Sequence, residues 1–254
     1  MILTRRNALL LGLAGLGTTT VMPFAARARN GGDRYATDSG EITVYPISHA
    51  SFVMSVPGLV IYNDPVGGAA AYEGHPAPDL ILITHEHGDH YEPETLAALV
   101  AEGTRLITNP AVFDMLPQDL KAKASTLANG ESTDVGDLRI EAIPAYNTTP
   151  ERLQYHPQGR DNGYVLTTDG RRVYIAGDTE DIPEMRALSD IDIAFVPMNL
   201  PYTMDVDQAS SAVAEFAPTH VYPYHYRGSD IDAVASKLAK AGSETEVVRG
   251  PWYA

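Results

Sequence analysis

Thr84-His85-Glu86-His87-Gly88-Asp89-His90 follows directly on the apolar run Leu80-Ile81-Leu82-Ile83, and the reading of the whole chain turns on this junction. A short apolar run closed by polar residues reads as a buried strand. On the loop at its end, three imidazoles and a carboxylate within six residues can converge on a small volume without helical spacing. Histidine is the commonest metal ligand and aspartate adds a hard oxygen, so the string reads as a metal site. The competing reading is a solvated loop. It requires three of the chain's eight histidines to gather here by accident, with a fourth in Tyr224-His225-Tyr226.

Around this junction the pattern alternates. Residues 93–102 read as a helix with Pro93 in its first turn, 105–108 as a strand and 110–116 as a short helix. Before it, 42–47, 51–56 and 59–62 are β-rich, the last two runs separated by the turn signal Pro57-Gly58. A second β-rich block covers 138–143, 163–168 and 172–176, with Asp169-Gly170 as a hairpin turn. Residues 192–196 and 220–224 then read as strands, and 207–216 and 231–241 as helices. Two β-rich blocks that each pass into alternating strand and helix predict an α/β protein with two sheets face to face and helices outside, a four-layered αββα sandwich. No sequence-level repeat accompanies the two blocks.

His85-Glu86-His87-Gly88-Asp89-His90 resembles the HxHxDH signature of the metallo-β-lactamase superfamily. Ala176-Gly177-Asp178-Thr179 resembles that family's Gly-Asp segment, and Pro223-Tyr224-His225-Tyr226 its last histidine motif. Residues 197–204 are similar to the branch that contains ascorbate-6-phosphate lactonase and, more distantly, the N-acyl phosphatidylethanolamine-specific phospholipases D. The resemblance implies the four-layered fold and a pair of divalent cations, zinc or manganese, with iron as a further option. It implies His85 and His87 on the first cation, Asp89, His90 and His225 on the second, and Asp178 between them. Two such cations bring a shared water toward neutral pKa and polarise a carbonyl or phosphoryl group, and Asp89 is the residue expected to orient that water or accept its proton.

One departure stands out. The superfamily takes a further histidine for the first cation from the loop after the strand at 138–143, where this chain has Pro144-Ala145-Tyr146-Asn147. Asn147 supplying an amide oxygen, His156 entering from Tyr155-His156-Pro157, and water are the three candidates, beside Asn147 merely capping a loop. Asp64, in Asn63-Asp64-Pro65, matches an aspartate that fixes the metal loop by hydrogen bonds, with a turn-forming role as the alternative. His49 is either directed at the site or a satisfied core histidine. Tyr202, Met204 and Tyr226 are candidates for the substrate pocket, although such residues more often belong to the core.

The 254 residues carry 18 Lys+Arg against 33 Asp+Glu, a net charge of −15, and no cysteine. That balance disfavours nucleic-acid partners, which require basic clusters, and the missing cysteines exclude disulfides and thiolate ligands. Residues 1–28 read as an export signal: the pair Arg5-Arg6, a weakly apolar run interrupted by Gly12, Gly15 and Gly17, and Ala26-Arg27-Ala28 as a cleavage site. The run is too short and too polar for a membrane span. A twin-arginine signal implies the export machinery that moves folded proteins, and hence a periplasmic or secreted product. Residues 29–40 read as a flexible leader and 41–254 as the folded domain. The resulting expectation is an exported metal-dependent hydrolase acting on a small-molecule ester, lactone or phosphodiester. A mononuclear iron redox enzyme and a non-catalytic metal-binding protein of the same fold are the alternatives.

Overall fold

The computed structural model describes residues 31–253; the export signal expected over 1–28 lies outside the described residues. The first sheet begins as an antiparallel meander of β1 (Asp33–Ala36), β2 (Glu41–Ser48), β3 (Ser51–Val56) and β4 (Leu59–Asn63). Three parallel strands then extend it in chain order, β5 (Leu80–Ile83), β6 (Arg105–Thr108) and β7 (Ala124–Thr126). Their crossovers carry α1 (Pro93–Leu99), α2 (Pro110–Met115) and α3 (Gln118–Lys121). Both α1 and α2 start with proline, whose missing N–H is harmless there. Asn109 caps α2 by accepting the Val112 N–H at 2.8 Å.

The second sheet follows the same plan. Strands β8 (Ser132–Val135), β9 (Leu138–Ala145), β10 (Asp161–Thr168) and β11 (Arg171–Ile175) form an antiparallel meander. Parallel strands β12 (Ile193–Pro197), β13 (His220–Tyr224) and β14 (Glu246–Val247) continue it, linked through α4 (Pro183–Arg186), α5 (Val206–Phe216) and α6 (Ile231–Lys240). The predicted Asp169-Gly170 turn joins β10 to β11 with both residues at positive φ, 45° and 74°, as a two-residue hairpin needs. Asp205 and Gln208 form a reciprocal capping box at the start of α5.

Burial sorts these elements into four layers. Alternate residues of both sheets meet in a central core in which Phe52 and Phe195 stack at 4.1 Å across the sandwich, with Tyr222 and Trp252 packed around them. On the outer face of the first sheet, Ile81 and Ile83 pack with Leu96, Val112, Leu116 and Leu120. On that of the second, Ala194 and Val196 pack with Ala209, Val213, Phe216, Val234 and Leu238. Each large side chain fully buried in this way contributes about 1.5–3 kcal/mol. Strands covered on both faces explain the imperfect alternation of the sequence.

The expected leader needs correction. From Asp33 it is strand rather than coil, because β1 pairs with β2 by main-chain bonds that no apolar pattern announces. Residues 37–39 are then clasped by the β10–β11 turn, where Asp169 accepts from Thr37 Oγ1, the Ser39 N–H and Ser39 Oγ. Among the described residues, no helix is long and apolar enough to cross a membrane.

Candidate metal centre

Ligand loops gather where parallel strands end, and β5 ends at Thr84-His85-Glu86-His87-Gly88-Asp89-His90. Thr84 is pinned on every polar atom. Its N–H and hydroxyl donate to the two Asp64 oxygens at 2.7 Å, and its carbonyl accepts from Asn162 N–H and Asn109 Nδ2. The loop then closes in one tight turn, with the N–H groups of His90 and Tyr91 both reaching the His87 carbonyl. Asp89 stands at its tip, half exposed, while His85 and His90 are buried.

The hydrogen bonds also set the tautomers. Thr84 Oγ1, already donating to Asp64, accepts from His85 Nδ1 at 3.0 Å. Asp64 Oδ2 accepts from His90 Nδ1 at 2.9 Å, and Asp161 Oδ2 from His156 Nδ1 at 3.0 Å. A proton held on Nδ1 leaves Nε2 as a lone pair, the form in which imidazole binds a metal. Those three Nε2 atoms, with His225 Nε2 and Asp178 Oδ1, are buried and without a hydrogen-bond partner. A buried polar atom left unsatisfied costs about 1–3 kcal/mol, so five in one place is a heavy charge against stability unless a cation meets them.

Asp178 is their focus. Its carboxylate lies 3.2 Å from His225 Nε2, 3.4 Å from His90 Nε2, 3.5 Å from His156 Nε2 and 3.9 Å from His85 Nε2. Three overlapping groups have donor atoms mutually within 4.8 Å and could hold an ion: His85 with His87 and His156, His85 with His90 and Asp178, and His49 with Asp89, His90 and His225. Gly177 makes this approach feasible. It sits at φ 65°, and a Cβ there would stand 2.6 Å from the Asn162 carbonyl. His49, Asp64 and His225 also adopt positive φ, at 54°, 41° and 46°. Such backbone costs about 1–3 kcal/mol per non-glycine residue and persists where the surroundings impose it.

Charges in the cluster shift one another. Burial, reinforced by His90, His156 and His87, pushes His85 well below the ordinary imidazole range, and burial likewise lowers His87. In the metal-free cluster burial would lower His90 too, but the Asp178 and Asp64 carboxylates outweigh it and raise His90 to about 9, so that its Nε2 holds a proton that a cation would displace. Burial would raise Asp178, and His225, His90 and His156 together hold it below the usual carboxylate range. Asp89 is held far below that range against its own desolvation, by the His225 imidazole, whose Nε2 lies 3.5 Å away, and by the hydrogen bond with His49.

The second sheet brings a further imidazole to the cluster. His156 arrives on the loop between β9 and β10, where the Asn147 N–H donates to the His156 carbonyl at 2.8 Å. Asn147 uses its side-chain amide on the carbonyls of Arg152 and Tyr202, so it shapes the loop that delivers His156 to His85 and His87. Glu180 pins the same loop: one oxygen accepts from the Thr148 and Thr149 N–H groups and Thr148 Oγ1, each at 2.7 Å, and the other faces Arg152 at 2.7 Å. Behind His156, Asp161 is bound by Arg160 through Nε and Nη2, and Arg160 Nη1 reaches Glu86 of the metal loop at 2.8 Å.

A cleft of about 410 Å³ opens over the cluster, lined by His49, His87, Asp89, His156, Asp178 and His225 and, beyond these, by Tyr155, Asn199, Tyr202 and Arg227. Tyr202 is thus where the sequence placed it. Met204 is not: it is wholly buried among the residues under α5, because it directly precedes the Asp205 cap and turns into that core. Tyr226 also stays off the cleft, half-buried against the core with its ring 4.8 Å from Tyr253. His49 Nε2 bonds Asp89 at 3.0 Å and its Nδ1 meets Tyr253 Oη at 2.7 Å. Sequence reasoning missed Asp161, Arg160, Glu180, Asn199, Arg227 and Tyr253. The string Gly177-Asp178-Thr179-Glu180 held a signal for Glu180 alone.

Comparisons with known proteins agree with this geometry. The family described as beta-lactamase superfamily domain matches residues 43–225. A metal-dependent hydrolase of Ligilactobacillus salivarius is 33% identical over 187 residues, 70% of this chain and 82% of the relative. The crystal structure of a Parabacteroides distasonis protein bearing the name metal-dependent hydrolase is 45% identical, with TM-score 0.78, covering 85% of this chain and 97% of that one. A metallo hydrolase from Ignicoccus hospitalis, 24% identical, shares the fold with TM-score 0.67 over 82% of this chain and 95% of its own.

Proposed function

The chain belongs to the beta-lactamase superfamily, and from that premise we propose that it is a metal-dependent hydrolase, exported in folded form, that cleaves a small-molecule ester, lactone or phosphodiester with a pair of divalent cations. The observation that carries this reading is the set of buried Nε2 atoms of His85, His90, His156 and His225, unpartnered around Asp178. Protein atoms alone do not satisfy them, and their chemistry is that of zinc or manganese ligands. His85, His87 and His156 would hold one cation and Asp89, His90 and His225 the other, with Asp178 common to both. Asn147 is not assigned to either.

A divalent cation supplies Lewis acidity at the scissile group and brings a water's pKa toward neutrality. The chain's own residues do the rest. Asp64 and Asp161 keep the imidazoles of His90 and His156 in the binding tautomer. Asp89, ionised throughout the working range and exposed at the cleft, orients the attacking water and accepts its hydrogen bond. His49, held between Asp89 and Tyr253, fixes the Asp89 carboxylate.

The test is turnover of 4-nitrophenyl butyrate, γ-butyrolactone and bis(4-nitrophenyl) phosphate by protein loaded with zinc or manganese. We expect at least one to be hydrolysed, and the rate to vanish with a chelator and in Asp178→Asn. Firmly held metal without turnover of any class would favour a binding role. For export, replacing Arg5 and Arg6 by lysine should retain the protein in the cytoplasm; unchanged export would remove the folded-transport reading.

A further inference from the structure

The metal-centre reading leaves four cleft residues without a role: Tyr155, Asn199, Tyr202 and Arg227. Resting on the hydrolase reading, we propose that the substrate carries an anionic group, carboxylate or phosphate, which Arg227 and Asn199 hold at the cleft wall while an apolar portion lies against Tyr155 and Tyr202. Arg227 is the one lysine or arginine lining this cleft. Its N–H is anchored on Tyr253 Oη at 3.2 Å, yet its guanidinium has no hydrogen bond or ion pair within the described residues. That is unusual for this chain. With 33 acidic residues against 18 basic ones, the other described arginines are paired or hydrogen-bonded through their side chains, except the exposed Arg105 at the start of β6.

Asn199 is similar. Its main chain is engaged, the N–H with Thr203 Oγ1 and the carbonyl with Tyr202 and Thr203, while its side-chain amide has no partner among the described residues. A free guanidinium and a free amide lining the same cleft offer the N–H donors that an oxyanion, which accepts several such bonds at once, requires. The opposite character lies beside them. The rings of Tyr155 and Tyr202 meet edge to face at 5.0 Å, joining the two loops that form the cleft rim. Leu153 and Leu200, on the same two loops, expose about half of their surface and add apolar character beside the two rings. A neutral polar substrate gives neither wall a purpose. An anion with an apolar arm engages both.

Calorimetry on the zinc-loaded protein tests this with matched ligands: butyrate, which has one head group, against glutarate and 4-phosphonobutyrate, which add a carboxylate or a phosphonate. We expect at least one two-headed ligand to bind about tenfold or more tightly than butyrate, in line with one or two charge-assisted hydrogen bonds. Which of the two wins separates carboxylate from phosphate recognition. Arg227→Gln should bring the ratio close to one with zinc content unchanged, and Arg227→Lys should keep most of it. A ratio near one for both ligands in the wild type, or an undiminished ratio in Arg227→Gln, overturns the proposal and leaves the metal centre standing. Failure to retain zinc at all overturns both.

Discussion

The two candidate ligand sets that flank Asp178 are built by different means. His90, Asp89 and His225 stand on backbone that is itself locked: Asp64 at positive φ grips both Thr84 and His90, and His225, also at positive φ, donates its N–H to the His49 carbonyl. The set of His85, His87 and His156 has no carboxylate of its own, and one member is imported on a loop held by the Glu180, Arg152, Asp161 and Arg160 clamps. Locked backbone gives a site that stands or falls with the fold. A clamped loop gives one that can be loosened by a single outer residue while the sandwich persists.

Asp178 joins the sets, so its loss should erase the difference between them. Asp178→Ala is expected to abolish tight binding at both and to lower hydrolysis by well over 100-fold, beyond the roughly 10–100-fold typical of losing an outer partner; metal content and turnover check it. Asp161→Asn should expose the difference. Metal affinity should fall about 10–100-fold at the His156 set alone, read as one weakened and one unchanged step in a chelator titration. Equal weakening of both steps would mean that Asp161 supports both sets alike.

A pH series separates the sets in the metal-free protein. His90 is raised to about 9, so the stabilisation from its proton is complete below the unfolded value of 6.5 and disappears as pH rises through 9. His85 is lowered, which gives the reverse sign: below the ordinary imidazole range, protonation favours unfolding. The melting temperature of the metal-free protein should therefore decline between about pH 6.5 and 9, and His90→Gln should flatten that decline. The smallest effect belongs to Tyr253→Phe, which removes the hydrogen bonds that Tyr253 Oη makes with His49 and with the Arg227 N–H and should cost about 0.5–1.5 kcal/mol of stability for each by denaturant titration.

The contrast between the sets also explains what the sequence made legible. Asp89 and His90 share one short string with His85 and His87, and a compact motif announces itself without knowledge of the fold. His156 comes from the other sheet, and nothing local distinguishes it from Asn147, whose amide nitrogen bonds the loop carbonyls and whose Oδ1 is buried without a partner. Asp161, Glu180 and Arg227 act across distances in the chain that spacing does not encode. The same holds for the fold. Buried strands such as β5 and β12 were plain from their apolar runs, while the short, largely exposed edge strands β1, β7 and β14 carry no such pattern and are held by main-chain pairing. The shared plan of the two sheets is visible only in their strand order, since no sequence repeat records it.

In the proposed function two separable cations share Asp178. Elemental mass spectrometry on protein purified without chelators, beside His156→Ala and His225→Ala, tests it most directly. About two ions per chain are expected in the wild type and about one in each variant. A single ion in the wild type, or both variants keeping the wild-type content, would contradict it.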